Sequence, residues 1–178
     1  RFNFSAFIQE MYHSFESVAA NREITFTLDN KLPESFFTCY DEAEIEKVFF
    51  NLLSNAFKFT SSGGQVTIRI RQIAQPYCEA LPMFPEQQVS TLIESSYLFI
   101  EITDTGMGFN QGEADKIFEP FYRAKEDIYK QVSGTGIGLS LTRSIVQQHQ
   151  GSIWATSAEG KGTCFMILLP DTEKQKEQ

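Results

Sequence analysis

The sequence lacks several patterns that would assign a function by themselves. Its three cysteines, Cys39, Cys78 and Cys164, lie far apart and form no Cys-x-x-Cys pair, which argues against a zinc site. We expect three thiols without a disulfide, as in a reducing compartment. No apolar run approaches the ~18–20 residues that span a bilayer, and no signal peptide is visible.

Positive charge is also scarce. The chain has 15 Lys and Arg residues against 23 Asp and Glu residues, a formal net charge of −8. An acidic surface repels nucleic acid and anionic lipid, so we expect neither nucleic-acid binding nor direct membrane contact. A phosphate ligand would have to be held by local dipoles, a few cations and a metal ion.

Phenylalanine, by contrast, is abundant: 17 residues against a single Trp. Hydrophobic residues make up 42% of the 178, which is enough for one domain with a sizeable core. No aromatic cluster is flanked by basic residues, so we interpret the phenylalanines as core filling.

The spacing of apolar residues predicts helices mixed with strands. Helical spacing covers residues 5–20, 41–60 and 139–149, and strand alternation covers residues 24–28, 66–70, 98–102, 152–157 and 163–169. Asp41 and Glu44 have the spacing of a capping box at the start of the second helix. The pattern predicts an α/β fold, a two-layer sandwich in which helices cover one face of a mixed β-sheet.

Two segments do not follow this pattern. Residues 72–95 contain three prolines and no clear period, which predicts an insertion loop, more readily an inert surface excursion than a partner-docking loop. Residues 171–178 are charged and predict a disordered tail or linker after a domain of residues 1–170.

A polar stripe borders the apolar face of the second helix. Asn51, Asn55 and Lys58 are spaced i, i+4 and i+7, which places them on one side of the helix. An amide oxygen is a hard ligand suited to Mg²⁺, and a lysine can contact a phosphate. The alternative is a solvated polar edge.

A carboxylate and two glycines end one apolar strand. Asp104 is followed by Gly106 and Gly108. A carboxylate can accept a hydrogen bond from an exocyclic amine such as that of adenine, and the glycines allow close backbone approach. The alternative is an ordinary turn.

Two further glycine clusters follow. Gly134, Gly136, Gly138 and Leu139 directly precede a helix, where backbone N–H groups are suited to phosphates, although the spacing is neither a Walker A loop nor the dinucleotide fingerprint. The sequence Gly160-Lys-Gly-Thr163 enters the last strand and by itself indicates only a hairpin turn.

Together with Phe118-Glu-Pro-Phe-Tyr-Arg123, these clusters resemble, in order and approximate spacing, the ATP-binding domain of sensor histidine kinases. This is the Bergerat fold, shared with gyrase-type, heat-shock chaperone and mismatch-repair ATPases. The resemblance covers nearly the whole chain.

The resemblance implies a role for each motif in binding ATP and Mg²⁺. Asn55 would be the main Mg²⁺ ligand with support from Asn51, Lys58 would contact phosphates, and Arg123 would lie near the γ-phosphate. Asp104 would bind the adenine amino group beside Gly106, Gly108 and Thr163. An ATP lid would span residues 118–138, with Phe118 and Phe121 packed at its base. The backbone amides of Gly134, Gly136, Gly138 and Leu139 would hold the phosphates.

Asn51 also separates branches of the superfamily. The resemblance implies that ATP-hydrolysing relatives carry a Glu at this position as general base, and an amide cannot take a proton near neutral pH. The resemblance therefore implies a kinase domain that passes the γ-phosphate to a histidine on a dimerisation hairpin outside this chain, for relay to a response regulator receiver domain. Neither His13 nor His149 lies in the family's acceptor context.

Three alternatives remain open at this stage. They are a degenerate nucleotide-binding regulatory module, a hydrolysing ATPase of the same superfamily, and a protein–protein scaffold with a vestigial site. We expect a cytoplasmic domain, whose parent protein could still be anchored in the inner membrane.

Overall fold

The computed structural model describes residues 1–85, 94, 96–123 and 136–171. Its strands are β1 Phe2–Asn3, β2 Thr25–Asn30, β3 Phe37–Thr38, β4 Gln65–Ala74, β5 Ser96–Asp104, β6 Ser152–Ala158 and β7 Gly162–Pro170. Its α-helices are α1 Phe4–Asn21, α2 Glu42–Phe59 and α3 Gly138–Gln148. Short 3₁₀ turns occupy Gln75–Ala80, Gln111–Glu113 and Lys116–Phe118.

A five-stranded mixed sheet forms the centre of the domain. The strand order is β2-β4-β5-β7-β6, in which β2 runs parallel to β4 and the other neighbours are antiparallel. Strands β1 and β3 form a separate antiparallel pair. The expected α/β fold with a mixed sheet is confirmed.

The main core lies between the helices and one face of this sheet. Along β5, Leu98, Ile100 and Ile102 belong to the cluster that includes buried residues of all three helices. Phenylalanines fill much of it, as expected: the rings of Phe15 and Phe57 stack at 5.6 Å between α1 and α2. The helices of the described residues thus cover one face of the sheet, as predicted.

Side-chain caps define where the first two helices begin. The Asn3 side-chain oxygen accepts a hydrogen bond from the N–H of Ala6 at 3.2 Å, so α1 begins one residue earlier than expected. Ser5, the residue at which the spacing predicted the helix to begin, donates its hydroxyl proton to the carbonyl of Pro33. Asp41 caps α2 as predicted, accepting from the N–H of Glu44 at 3.2 Å.

The prediction of a loop over residues 72–95 was wrong for its first part. Strand β4 continues to Ala74, and the following 3₁₀ turn and Leu81 pack against the second face of the sheet. Cys78 and Leu81 are buried there with Trp154, whose indole N–H donates to the carbonyl of Pro82 at 2.9 Å. This segment is therefore a cover for the sheet, which a surface excursion would not be; residues 86–93 and 95 lie outside the described residues.

The predicted tail was also wrong at its first residue. Asp171 is buried, and its carboxylate accepts hydrogen bonds from Ser96 Oγ at 2.8 Å and from Gln72 Nε2. A carboxylate is buried only where donors compensate the lost water, and β4 and β5 supply them here. Residues 172–178 lie outside the described residues.

Two further expectations concern cysteines and membranes. Cys39, Cys78 and Cys164 are not joined by a disulfide in this structure. Within the described part of the chain, no helix has both the length and the apolar character needed to cross a membrane.

The covering role of residues 75–81 can be tested by a truncation. Replacing Leu81 by Ala should lower the free energy of unfolding by about 2 kcal/mol, because a buried side chain on the sheet is lost. Replacing Tyr77, which is 70% exposed in the same segment, should change it by less than about 0.5 kcal/mol. Urea unfolding measures both free energies. Equal and small changes in the two variants would contradict the covering role and favour an inert surface excursion.

Candidate functional site

A cavity of about 280 Å³ opens beside α2, β5 and the start of α3. Ten of the residues predicted from the sequence line it, and they come from distant parts of the chain: Asn51, Asn55, Lys58, Asp104, Gly108, Arg123, Gly136, Gly138, Leu139 and Thr163. The structure thus brings the separate polar and glycine clusters to one place.

Asp104 lies at the end of β5 with only 6% of its surface exposed. One carboxylate oxygen accepts a hydrogen bond from the N–H of Gly106 at 2.8 Å. Burial raises the pKa of Asp104 to about 6, although the N–H groups of Gly106 and Thr163 act in the opposite direction. At neutral pH the group is mainly ionised and is therefore a hydrogen-bond acceptor.

Two glycines let the β6–β7 hairpin dock onto the loop after Asp104. Gly108 has φ +59°, and a Cβ there would lie 2.1 Å from the carbonyl oxygen of Ala158. Gly162 has φ +95°, and a Cβ there would lie 2.0 Å from the carbonyl oxygen of Asp104. The Gly160 turn is thereby a contact of the site, since its N–H donates to Met107 at 2.7 Å.

The predicted stripe on α2 forms one wall of the cavity. Asn51, Asn55 and Lys58 all line it. Burial, and to a smaller extent the charge of Arg123, lowers the pKa of Lys58. Two cations from α2 and from residues 119–123 therefore face the same space.

Asn51 also contacts the opposite wall. Its Nδ2 donates to Thr142 Oγ1 at 2.8 Å, and its amide lies against Gly138, where a Cβ would be 2.2 Å from Asn51 Oδ1. The side chain thus links α2 to the first turn of α3. Only its oxygen remains to act as a ligand.

The start of α3 carries no side-chain cap. Ile137 occupies the cap position and makes no side-chain hydrogen bond to the helix, unlike Asn3 and Asp41 at the other two helices. Gly138 and Leu139 of its first turn line the cavity. Backbone N–H groups and the positive end of the helix dipole are therefore available to an anion.

The predicted lid is described only at its two ends. The N–H of Phe121 donates to the carbonyl of Gly136 at 2.9 Å, so the ends meet. Gly134 and most of the predicted lid, residues 124–135, lie outside the described residues.

Three predicted residues do not line the cavity: Phe118, Phe121 and Gly106. Phe118 is buried beneath it, against Phe165 at 6.2 Å and with the guanidinium of Arg143 4.2 Å above its ring. Phe121 is 75% exposed. Gly106 packs against α2, where a Cβ would lie 2.5 Å from the carbonyl oxygen of Phe59.

Sequence reasoning missed the apolar lining of the cavity, which is formed by Phe59, Met107, Phe109, Ile117, Tyr122 and Phe165. Most of these read as core residues, because an apolar wall and a core have the same pattern. Tyr122 gave a signal, since it stands between Phe121 and Arg123 in a motif already singled out. Its hydroxyl donates to Glu113 at 2.6 Å, a bond that raises the pKa of Tyr122 to about 12.

The oxygen donors at the cavity fit a metal ion that is coordinated mainly by the phosphates of a bound ligand and by water, with only one or two protein oxygens. In the described residues no group of three or more His, Cys, Asp and Glu side chains converges on one point. Mg²⁺ usually takes one or two protein oxygens and completes its shell with phosphates and water. The Asn55 amide, with that of Asn51 nearby, suits such a site.

The fold and the cavity define an α/β sandwich domain built to hold a small anionic ligand with an apolar part. The sequence family described as histidine kinase-, DNA gyrase B-, and HSP90-like ATPase matches residues 40–173. The chain belongs to this family, whose domains bind ATP, and within it to the catalytic domains of sensor histidine kinases.

Two similar proteins are histidine kinases much longer than this chain. Histidine kinase P4 of Formosa agariphila is 32% identical over 94% of this chain, and sensor histidine kinase WalK of Bacillus subtilis is 34% identical over 77% of it. The chain spans only 11% and 19% of these proteins.

Solved structures agree with this assignment. The catalytic domain of histidine kinase ThkA superposes with a TM-score of 0.70 at 26% identity, over 96% of this chain and 95% of that one. ThkA has also been solved in complex with the response regulator TrrA, and that chain is 23% identical with a TM-score of 0.66, over 98% of this chain and 42% of that one.

The raised pKa of Asp104 predicts a pH-dependent cost to folding. Its carboxyl has a pKa near 3.8 when unfolded and about 6 when folded. The folded state therefore binds the proton more tightly, and the stability that this gives is fully present below pH 3.8 and is lost as the pH rises through 6. Relative to Asp104→Asn, the wild type should therefore lose on the order of 3 kcal/mol of unfolding free energy between about pH 4 and about pH 7.5.

Urea unfolding of both proteins across this range measures the difference. Asp115→Asn, which removes an exposed carboxylate, is the control for the loss of one negative charge. A difference between Asp104→Asn and wild type that does not change with pH would contradict the prediction.

Proposed function

We propose that this chain is the ATP-binding catalytic domain of a sensor histidine kinase, which binds Mg-ATP and donates its γ-phosphate to a histidine outside this chain. The observation that carries the proposal is the arrangement of one cavity. A buried carboxylate, Asp104, offers a hydrogen-bond acceptor for a base. The uncapped start of α3, together with Asn55 and Lys58, offers groups that suit phosphates and a metal ion.

The base would be recognised at Asp104. Its ionised carboxylate accepts a hydrogen bond from the adenine amino group. The apolar wall that includes Met107 and Ile117 excludes water from the adenine ring. Thr163, paired with Asp104 across β5 and β7, lines the same part of the cavity. A buried acceptor discriminates strongly, since a base without a matching donor leaves it unpaired.

The phosphates would be held at the start of α3. Backbone N–H groups of Gly136, Gly138 and Leu139 would bind them, while Lys58 and Arg123 add positive charge. Gly134, for which the same role is predicted, lies outside the described residues. Asn55, with Asn51 beside it, supplies amide oxygens for Mg²⁺. The metal, when bound, neutralises phosphate charge during phosphoryl transfer.

The lining of the cavity favours transfer over hydrolysis. Among the described residues that line it, Asp104 is the one carboxylate, and it binds the N–H of Gly106. At Asn51 an amide stands where a hydrolase needs a general base for water. A water molecule at this position therefore has no proton acceptor that could activate it. A histidine can serve as the nucleophile instead.

The histidines of this chain do not suit the acceptor role. His149 accepts from the N–H of Asp41 through Nε2 at 3.1 Å, which leaves Nδ1 to donate to the carbonyl of Ile145 at 2.8 Å. His13 lies on the exposed face of α1 beside Glu16. Neither lines the cavity.

The proposal extends to partners and place. The acceptor histidine belongs to a dimerisation hairpin of the parent protein, and the phosphate passes on to a response regulator receiver domain, the class of partner with which ThkA was solved. The domain works in the cytoplasm, where ATP is available, and the parent can be anchored in the inner membrane. The net charge of −8 is consistent with a partner other than nucleic acid.

Calorimetric titration tests the division of the cavity. Asn55→Ala should weaken Mg-ATP binding by about tenfold, because a metal ligand is lost, while metal-free ATP should bind nearly as before. Ser54→Ala, one residue earlier on α2 and facing a separate groove, is the matched control.

Asp104→Asn should behave differently in the same titrations. It should weaken ATP and ADP alike, with or without Mg²⁺, because the lost acceptor serves the base. Equal loss of metal-free binding in Asn55→Ala and in Asp104→Asn would contradict the assignment of the two residues to different parts of the ligand.

Transfer can be tested in a longer form of the protein that includes a preceding helical hairpin. With labelled ATP it should form acid-labile phosphohistidine, and its Asn55→Ala form should label far more slowly. ATP binding without label would favour a regulatory module. Steady hydrolysis by this chain at about 1 s⁻¹ or faster would favour an ATPase.

A further inference from the structure

Thr142 is a buried polar residue of α3 that does not line the cavity but contacts a residue that does. It is 1% exposed, and its hydroxyl has two partners. Thr142 Oγ1 lies 3.0 Å from the carbonyl oxygen of Gly138 and 2.8 Å from Nδ2 of Asn51.

The directions of these two hydrogen bonds are fixed by the number of protons. A hydroxyl has one proton, and the Gly138 carbonyl can only accept, so Thr142 donates to it. Thr142 must then accept from Asn51, which requires the amide nitrogen on that side. If the Asn51 amide were turned over, the hydroxyl could donate to its oxygen only by giving up the hydrogen bond to the Gly138 carbonyl, so one of the two hydrogen bonds would be lost.

The other end of the amide is thereby fixed as well. The Asn51 oxygen lies against Gly138, on the glycine-loop side of the cavity, and both residues line the cavity wall. A nitrogen at that position would present protons toward a cation. An oxygen presents the lone pairs that Mg²⁺ requires.

We propose that Thr142 is a positioning residue that holds the Asn51 side-chain amide with its oxygen toward the cavity, ready for the metal of Mg-ATP. The proposal rests on the proposed function for the identity of the ligand. The orientation of the amide is a property of the nucleotide-free protein and can be examined without ATP.

Two substitutions separate the hydroxyl from the volume of the side chain. Thr142→Val has nearly the same shape and lacks the hydroxyl, whereas Thr142→Ser keeps the hydroxyl and loses a methyl group. Thr38→Val is the matched control, because Thr38 is a fully buried threonine whose hydroxyl has no partner, in the β1–β3 pair outside the cavity lining.

The first measurement uses the nucleotide-free protein. The side-chain amide resonance of Asn51, identified by its absence in Asn51→Ala, should exchange with water about fivefold faster in Thr142→Val, the factor that corresponds to one ordinary hydrogen bond. Thr142→Ser and Thr38→Val should match the wild type.

The second measurement is titration with ATP with and without Mg²⁺. Thr142→Val should weaken Mg-ATP binding by about fivefold and leave metal-free ATP within about twofold, because the oxygen is no longer held toward the metal. Thr142→Ser should restore the wild-type values.

Two results would overturn the proposal: a Thr142→Val protein that matches the wild type in both measurements, or a Thr142→Ser protein that loses as much as Thr142→Val. Failure of the wild type to bind ATP would instead count against the proposed function, while the resonance would still decide the orientation of the amide.

Discussion

The position of Asp104 at the cavity depends on close backbone contacts that leave no room for a Cβ atom at three glycines. Gly106 packs on the end of α2, Gly108 packs on the end of β6, and Gly162 packs on the backbone of Asp104 itself. These contacts join α2, β5 and the β6–β7 hairpin at one point. Asp104 is consequently held at a fixed place relative to the polar stripe of α2, although the two are separated by some fifty residues of chain. The buried carboxylate and its raised pKa follow from this closeness.

Helix α3 is tied to α2 at both of its ends, and this leaves its N-terminus open. Asn51 reaches Thr142 near the start of α3, and His149 at its end accepts from the backbone of Asp41 at the start of α2. The two helices are thereby held side by side without a cap on the first turn of α3. In the other two helices, Asn3 and Asp41 satisfy that turn with their own side chains. Here a ligand can do so, which couples an element of the fold to the binding of anions.

The sequence predicted most elements of the fold and most of the polar side of the site, because these depend on local spacing. The stripe of Asn51, Asn55 and Lys58 needs only a helix, and the glycine loop needs only the helix after it. The failures came from contacts between distant residues. Gln72 and Ser96 make burial of Asp171 possible, and neither is near it in sequence. Likewise, β5 is buried on both faces because residues 75–81 cover the second face. The surrounding residues 72–95, with three prolines and no period, give no sign in the sequence that part of them packs on the sheet.

An acidic domain that binds a polyphosphate must overcome its own field. The net charge of −8 repels ATP at long range, where salt screens the repulsion beyond roughly 8–10 Å. At short range the described cavity wall holds one carboxylate against two cations, Lys58 and Arg123. In the proposed function that carboxylate binds the base and not the phosphates. The local arrangement therefore favours phosphate although the whole surface does not, and Mg²⁺, under the proposed function, would further reduce the negative charge of the ligand that enters the cavity. Under the proposed function, selectivity for the nucleotide would rest on Asp104 and its apolar surroundings, because phosphate contacts alone do not distinguish one base from another.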